Sequence, residues 1–208
     1  VVDICRGIRF RKLDVPWTCL ARVNLIDSEM LREMAWAGCW QIDYGIESGS
    51  QRLLNSVHKG LTLEEVRTAV HKTKAVGIKV RGFFMLGLPG ETEATLRETI
   101  KFANSLKLDV AVFHVTIPFP GTELYASALA QGELSEETGY DRYLMFSSTD
   151  FPYVPRGLTR RMLVHYRSKA YRAFYLRLRF IIEQMLGVRS LRDIARYATG
   201  LTLIKSLD

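Results

Sequence analysis

The stretch GFFMLGLPGET, residues 82–92, decides the fold class, because it joins an apolar strand to a glycine-rich turn and an acidic helix start. A strand that leads into a helix needs a turn, but it does not need so many glycines. Gly87 and Gly90 lack the Cβ atoms that would keep a ligand away from the main chain. Glycine after a buried strand is also ordinary turn chemistry. The stretch by itself therefore leaves a ligand site and a plain turn both open.

Short apolar strands alternate with amphipathic helices on both sides of this stretch. Helices begin at recognisable caps, such as Asp27 and the capping-box pair Thr62 and Glu65. The pattern predicts helices over 27–37, 51–57, 63–75 and 92–106. It predicts strands over 17–24, 39–47, 78–86 and 109–119. Strands separated in this way indicate βαβ units, and hence an α/β fold with a parallel sheet.

The strand pattern stops after Tyr125, which predicts a helical extension beyond the sheet. Residues 126–157 look irregular, with proline breaks at Pro152 and Pro155. Apolar residues then recur at i+4 spacing and predict one long helix from Thr159: Met162, Tyr166, Ala170, Phe174, Leu178 and Ile182. A further helix is predicted over 190–206. The sequence thus divides into 1–125, an irregular connection 126–157 and a basic helical part 158–208.

The charge of the chain is concentrated in this last part. The 208 residues carry a net charge of +7. From Arg156 onward the sequence contains twelve Lys or Arg and three acids, which gives this part a net charge of +9. No run of eighteen apolar residues occurs, so no segment is expected to span a membrane, and unpaired cysteines indicate a cytoplasmic protein. The basic helices could cover the sheet with their charges in water, bind RNA through interleaved aromatics, or lie on an anionic membrane surface.

The cysteines and histidines form no known catalytic or metal motif. Cys5, Cys19 and Cys39 are too widely spaced for a zinc knuckle or a disulfide framework, so we expect free thiols. His58 and His71 fall in polar stretches and are expected to be solvated. Three other stretches are more informative, because each places Gly or Pro at the carboxyl end of a predicted strand, where α/β sheets bind ligands: GIESGS (45–50), GLPGET (87–92) and PFPGTELY (118–125).

These stretches carry a family resemblance. WTCLARVN (17–24), AGCWQIDYGIESGSQRLLNSVHKGLT (37–62), GFFMLGLPGETEATLRETIKFA (82–103) and PFPGTELY resemble the C-terminal part of a radical S-adenosylmethionine (SAM) core domain. The nearest subgroup is the cobalamin-binding type of Fe–S oxidoreductase, similar to the anaerobic magnesium-protoporphyrin cyclases. The resemblance implies a six-stranded partial (β/α) barrel. The four βα units seen here would supply its third to sixth strands.

The resemblance also implies a SAM site at these strand ends. Glu47 would bind the SAM ribose, and Arg22, pointing into the barrel from the third strand, would bind the SAM carboxylate or the substrate. The remaining implied contacts hold the adenine: Met85, Leu86, Gly87, Pro118 and Phe119. Because the fifth-strand motif has an inserted residue before its acid, Glu91 is expected to hold the turn or the next helix start instead of a ligand.

The family's CxxxCxxC loop, which holds a [4Fe–4S] cluster, has no counterpart in the sequence. We therefore expect a fragment whose cluster ligands lie upstream, with no metal ligand of its own and no activity alone. In the intact protein the family implies a 5′-deoxyadenosyl radical, or cobalamin bound by an upstream domain, acting in C–H methylation, oxidation or rearrangement. The expected partners are the upstream half of the protein and a small-molecule or lipid-like substrate. A non-catalytic remnant, an RNA-binding module and a tRNA-methylthiolating enzyme are the alternatives.

Two further residues lie on the strands beside these ends. Asp43 is expected to be a hydrogen-bond partner on a strand face and not a catalytic acid. His114 shares a strand face with Val110, Val112 and Thr116. If that face lines the barrel interior, His114 could meet SAM or substrate; if it faces the helices, His114 is a core histidine.

Overall fold

A computed structural model describes residues 1–135, 139, 143 and 151–186 of the chain. It has four strands in one sheet: β1 (Trp17–Ala21), β2 (Cys39–Glu47), β3 (Lys79–Leu86) and β4 (Val110–Val115). The strand order is β1-β2-β3-β4, and β2 pairs in parallel with both β1 and β3. The bonds from Asp109 N to Val80 O and from Thr116 N to Leu86 O advance along both segments together, so β4 is parallel to β3. The predicted parallel α/β sheet is confirmed.

Helices separate the strands and follow the last one. They are α1 (Val2–Phe10), α2 (Ser28–Trp36), α3 (Gln51–Ser56), α4 (Leu63–Ala75), α5 (Glu93–Ser105), α6 (Glu123–Ala130), α7 (Arg160–Tyr175) and α8 (Leu178–Leu186). A short 3₁₀ turn, Val23–Leu25, follows β1. None of the helices within the described ranges is long and apolar enough to cross a membrane.

The predicted helix caps are present as hydrogen bonds. Asp27 Oδ1 accepts from Met30 N at 2.8 Å, and this bond begins α2. At the start of α4, Thr62 Oγ1 accepts from Glu65 N at 3.1 Å, while Glu65 Oε2 accepts from Thr62 N at 2.6 Å. The bond from the Thr62 N–H lowers the pKa of Glu65, because it favours the ionised carboxylate.

The chain forms two compact units. The first comprises Val1–Phe84 and Lys101–Val112. In this unit one face of β2 is apolar and packs toward the helices, because the buried Tyr44 donates to or accepts from Thr73 of α4 at 2.8 Å. A Cβ at Gly82 of β3 would lie 2.8 Å from a methyl group of Leu108, so a larger residue here would require the neighbouring side chains to shift.

The second unit comprises Met85–Ile100 and the residues from Phe113 onward. Here α7 packs on β4 through an edge-to-face contact between Phe113 and Tyr171, whose ring centroids lie 5.4 Å apart. It also reaches α5, where the Tyr166 hydroxyl donates to Glu93 and accepts from Arg97. The bond from Tyr166 lowers the pKa of Glu93. α7 is therefore a covering helix for this unit.

Four predicted elements differ from the structure. The strand predicted over 109–119 ends at Val115, because Pro118 and Pro120 beyond it have no N–H to continue the ladder. β1 ends at Ala21, three residues early, because the chain enters the 3₁₀ turn. Residues 126–130, predicted to be irregular, belong to α6, which begins where Thr122 Oγ1 accepts from Tyr125 N. The single long helix is two helices, since α7 ends before Leu176, and Leu178 of the predicted buried stripe is 73% exposed. The helix predicted over 190–206 lies outside the described residues.

Candidate functional site

Glu47 ends β2 in a strained backbone conformation. Its φ is +68°, and Ser48 N donates to Ile46 O at 2.9 Å, so a tight γ-turn is centred on Glu47. The register with β3 slips at the same place, between Gly45 and Glu47. A γ-turn with positive φ is rare for a non-glycine residue, and such backbone strain clusters at functional sites. The turn directs the chain away from the sheet at the position where the sequence predicts a ligand contact.

The Glu47 carboxylate is held by Lys59, a residue that the sequence analysis missed. Lys59 Nζ lies 2.6 Å from Glu47 Oε1, and both side chains are about a quarter exposed, at 25% and 23%. A Cβ at Gly45 would lie 2.9 Å from Glu47 Oε1 and 3.2 Å from Lys59 Nζ. The absence of a side chain at Gly45 thus makes room for the ion pair.

Arg22 lies beside this pair. It follows the last residue of β1 and directly precedes the 3₁₀ turn, and its side chain is exposed. That it points into the barrel stays a prediction. Its Nη2 donates to the main-chain carbonyl of Lys59 at 3.0 Å. The structure thus brings together two of the predicted site residues through a third. We refer to Arg22, Glu47 and Lys59 as the β2-edge cluster.

The β2-edge cluster carries two cations and one carboxylate. Among the described residues, Lys59 is the hydrogen-bond donor to Glu47, and it uses Oε1. The Glu47 side chain is 23% exposed, and its other oxygen, Oε2, can accept a hydrogen bond from a ligand hydroxyl. Arg22 and Lys59 can each attract an anionic group. The cluster suits a ligand that has both hydroxyl donors and a carboxylate.

The GLPGET turn is stabilised by hydrogen bonds between one of its own side chains and its main chain. The buried Glu91 accepts from Gly87 N and, at 3.1 Å, from Leu88 N through the same oxygen, Oε2. This confirms the prediction that Glu91 holds the turn. Gly87 has φ +89°, and a Cβ there would meet the methyl groups of Leu163 at 3.4 Å and Pro155 at 3.7 Å. On that side Gly87 therefore accommodates packing residues and not a ligand.

The other predicted adenine contacts lie in the second unit. Leu86 is buried, Met85 is half-buried, and Leu86 O accepts from Thr116 N at 2.8 Å. Two residues further on, Pro118 is buried, and Phe119 is 43% exposed. Their assignment to adenine remains a prediction.

Thr116 is a residue of this segment that the site prediction left out. It is 3% exposed, and its hydroxyl oxygen has no hydrogen-bond partner within the described part of the chain. A buried hydroxyl without a partner is uncommon in folded proteins. Periodicity could not have found this residue, because the strand pattern requires only that its side chain be buried.

The surroundings of Asp43 settle its role, whereas those of His114 show only which face of β4 it occupies. Asp43 accepts from Gln41 Nε2 at 2.8 Å and from Arg81 Nη1 at 3.3 Å, which confirms it as a strand-face hydrogen-bond partner. His114 is buried and alternates with Phe113, whose ring faces α7. His114 therefore lies on the face of β4 that points away from α7. His58 and His71 are exposed, as predicted.

The cysteines are free thiols and offer no metal site. Cys5 and Cys39 are buried and Cys19 is half-buried. A hydrogen bond between Cys19 and Cys39, together with burial, raises the pKa of the Cys39 thiol, and the same bond lowers the pKa of Cys19. No group of three or more His, Cys, Asp or Glu side chains in the described ranges could hold a metal ion. A [4Fe–4S] cluster thus has no ligand set among these residues.

Comparison with known proteins identifies related sequences and folds. Residues 2–103 match the family described as the Radical SAM superfamily. An uncharacterized methyltransferase of Pyrococcus horikoshii is 33% identical over 88% of this chain and 39% of its own length. The anaerobic magnesium-protoporphyrin IX monomethyl ester cyclase of Rubrivivax gelatinosus is 28% identical over 86% of this chain and 32% of its own length.

A solved structure extends the comparison to the fold. The radical SAM methyltransferase TsrM from Kitasatospora setae, determined with cobalamin and a [4Fe–4S] cluster bound, superposes with a TM-score of 0.66 at 21% identity. The match covers 81% of this chain and 40% of TsrM. The chain spans 39% and 32% of the lengths of the two curated relatives above.

Proposed function

Because the chain belongs to the radical SAM superfamily, we propose that the β2-edge cluster binds S-adenosylmethionine. The observation that carries this proposal is the γ-turn at Glu47, which places a carboxylate with an open oxygen at the carboxyl end of a parallel strand. Ligands of α/β sheets and barrels bind at that end of the strands. A side chain held by a strained backbone is more consistent with binding than with a merely structural role.

The chemistry of SAM matches the groups of the cluster one by one. The ribose has two hydroxyl donors, and Glu47 Oε2 is an acceptor without a competing partner among the described residues. The methionine part has a carboxylate, and Lys59 Nζ and the Arg22 guanidinium supply positive charge. Charge-assisted hydrogen bonds of this kind are the stronger ones in proteins.

The role of this chain in the reaction would be to bind and orient SAM. Bound SAM would supply a methyl group or, after reductive cleavage by a [4Fe–4S] cluster, a 5′-deoxyadenosyl radical. We infer that the longer polypeptide methylates, oxidises or rearranges an unactivated C–H position. The relatives named as a methyltransferase and a cyclase support this inference. The [4Fe–4S] cluster and any cobalamin would be held by residues other than those described.

Isothermal titration calorimetry of the 208-residue chain with two ligands tests the assignment of roles. S-adenosylhomocysteine has both the ribose and the carboxylate, whereas adenosine has the ribose but no carboxylate. We expect Glu47→Gln to weaken both ligands by about 1–3 kcal/mol, since it removes a charged acceptor. Lys59→Met should weaken S-adenosylhomocysteine more than adenosine, because both ligands lose the support that Lys59 gives to Glu47 but only S-adenosylhomocysteine has a carboxylate.

A matched control separates this effect from a general loss of charge. Glu64→Gln removes an exposed carboxylate from the first turn of α4, and it should leave the affinity for both ligands unchanged. The proposal is wrong if Glu47→Gln binds both ligands as tightly as the wild-type chain. It is also wrong if Lys59→Met weakens adenosine as much as it weakens S-adenosylhomocysteine.

A further inference from the structure

The two faces of the sheet in the first unit differ in chemistry. On β2, Ile42, Tyr44 and Ile46 are buried, and the Tyr44 hydroxyl bonds to α4, so this face carries the helices. Side chains alternate along a strand, which places Gln41 and Asp43 on the opposite face. That face of the sheet is therefore polar where parallel sheets are ordinarily apolar on both sides.

Arg81 of β3 completes a polar triad on this opposite face. It stands in register with Asp43, so the two side chains point the same way. Gln41 Nε2 donates to Asp43 Oδ1 at 2.8 Å, and Arg81 Nη1 donates to Asp43 Oδ2 at 3.3 Å. Gln41 and Asp43 are only 4% and 8% exposed. Both oxygens of the buried carboxylate are thus used to hold the two neighbouring side chains.

One edge of the Arg81 guanidinium has no hydrogen-bond partner among the described residues. Asp43 occupies Nη1, whereas Nε is buried and has no hydrogen-bond partner in the described ranges. The side chain of Arg81 as a whole is 35% exposed. The Nε and Nη2 groups form the edge that binds a carboxylate through two parallel hydrogen bonds. Asp43 thus fixes the guanidinium from one side and leaves the edge with two donors unused.

An exposed apolar side chain lies next to the triad. Leu20 of β1 stands in register with Asp43 and is 82% exposed, and Thr18, in register with Gln41, is also exposed. Leu20 therefore places an exposed apolar side chain beside the buried ionic pair. Apolar surface with a few fixed polar groups is the usual composition of a small-molecule site.

We propose that this face binds the substrate, and that the substrate is an amphipathic carboxylate. Arg81 would bind the carboxylate through its Nε and Nη2 edge, and Leu20 would contact the apolar body. Asp43 and Gln41 are positioning residues, because they fix the guanidinium without facing the ligand. The inference rests on the proposed function, since it assigns the substrate class of the same enzyme.

The test follows the Arg81 Nε–H signal by NMR in the ¹⁵N-labelled 208-residue chain, and Arg81→Lys identifies that signal by removing it. The probes share a phenyl body and differ in their polar group: phenylacetate, its neutral amide phenylacetamide, and phenyl phosphate. We expect phenylacetate to shift the signal in a saturable way and phenylacetamide to leave it in place. A shift with both probes, or with neither, would overturn the proposal. Tighter binding of phenyl phosphate would replace the carboxylate with a phosphate ligand.

Variants then assign the binding to Arg81. Arg81→Met should weaken phenylacetate by about tenfold, which corresponds to about 1.4 kcal/mol. Arg81→Lys should recover part of the loss, because a lysine keeps the charge but not the two-donor edge. Lys79→Met is the control, since Lys79 is an exposed cation on the same strand, in register with Gln41. Equal weakening by Lys79→Met would show general charge attraction and refute the site.

Failure of this inference can be told apart from failure of the proposed function. Arg81→Met should bind S-adenosylhomocysteine like the wild-type chain, because Arg81 lies outside the β2-edge cluster. If S-adenosylhomocysteine binding is insensitive to Glu47→Gln while phenylacetate still depends on Arg81, the SAM assignment fails and the anion site stands. If Arg81→Met does not fold, the comparison of phenylacetate with phenylacetamide on the wild-type chain still decides the question.

Discussion

Replacing Glu47 by glycine and, separately, by alanine should measure the backbone strain at the end of β2. The γ-turn with φ +68° costs a non-glycine residue about 1–3 kcal/mol. Glycine avoids most of this cost, but its greater freedom in the unfolded chain offsets about 0.4–1 kcal/mol. Both variants lose the ion pair with Lys59, so that loss cancels in the comparison. We therefore expect Glu47→Gly to be more stable than Glu47→Ala by about 1 kcal/mol.

Urea unfolding followed by circular dichroism gives the free energy of unfolding of both variants, provided that their m-values agree. Calorimetry with S-adenosylhomocysteine supplies the second half of the test. Glu47→Gly should gain stability over Glu47→Ala and yet bind the ligand no better, because neither variant has the carboxylate. Equal stability of the two variants would show that the turn is unstrained. The reasoning that links strain to binding at this position would then fail.

Two other predictions concern positions whose surroundings are equally well defined. Gly87→Ala and Gly121→Ala should each destabilise the chain by about 1 kcal/mol in urea unfolding, because both glycines have positive φ, at +89° and +84°. The two positions differ in the space around an added Cβ: leucine methyl groups lie 3.4 Å from a Cβ at Gly87, and nothing lies within 4 Å of one at Gly121. A much larger loss of stability for Gly87→Ala would show that packing, and not backbone strain, determines the cost. Thr62→Ala should cost about 1 kcal/mol through loss of the cap on Glu65 N. Thr68→Ala, an exposed change within the same helix, should cost nothing, and equal losses for the two threonines would argue against the cap.

The strands and helix starts could be predicted because local rules determine them. The capping box of Thr62 and Glu65 and the cap at Asp27 depend on a few neighbouring residues, and both are present. The i+4 stripe after Thr159 was less reliable. It records which residues are apolar, but it does not record where the core beneath them ends. The helix therefore breaks at Leu176, although the pattern continues beyond it.

The site was predicted only in outline, because its details depend on tertiary structure. Glu47 could be found from its place at a strand end, whereas its γ-turn follows from a register slip between two strands. Lys59 follows a short helix and a positive-φ His58, and nothing in its local sequence distinguishes it from an ordinary helix end. Arg81 looked like one more polar residue in a strand until its register with Asp43 was known.

The exposed leucine on β1 also matters for handling the protein. β1 lies at the outer side of the described sheet, and Leu20 stands 82% exposed on it. When the 208-residue chain is handled by itself, an edge strand with an apolar side chain can pair with the same strand of another molecule. Concentrated solutions of this chain should therefore tend toward intermolecular β-pairing. Leu20→Lys would discourage that self-association without touching the Glu47 turn, but it would also remove the apolar contact proposed for the substrate.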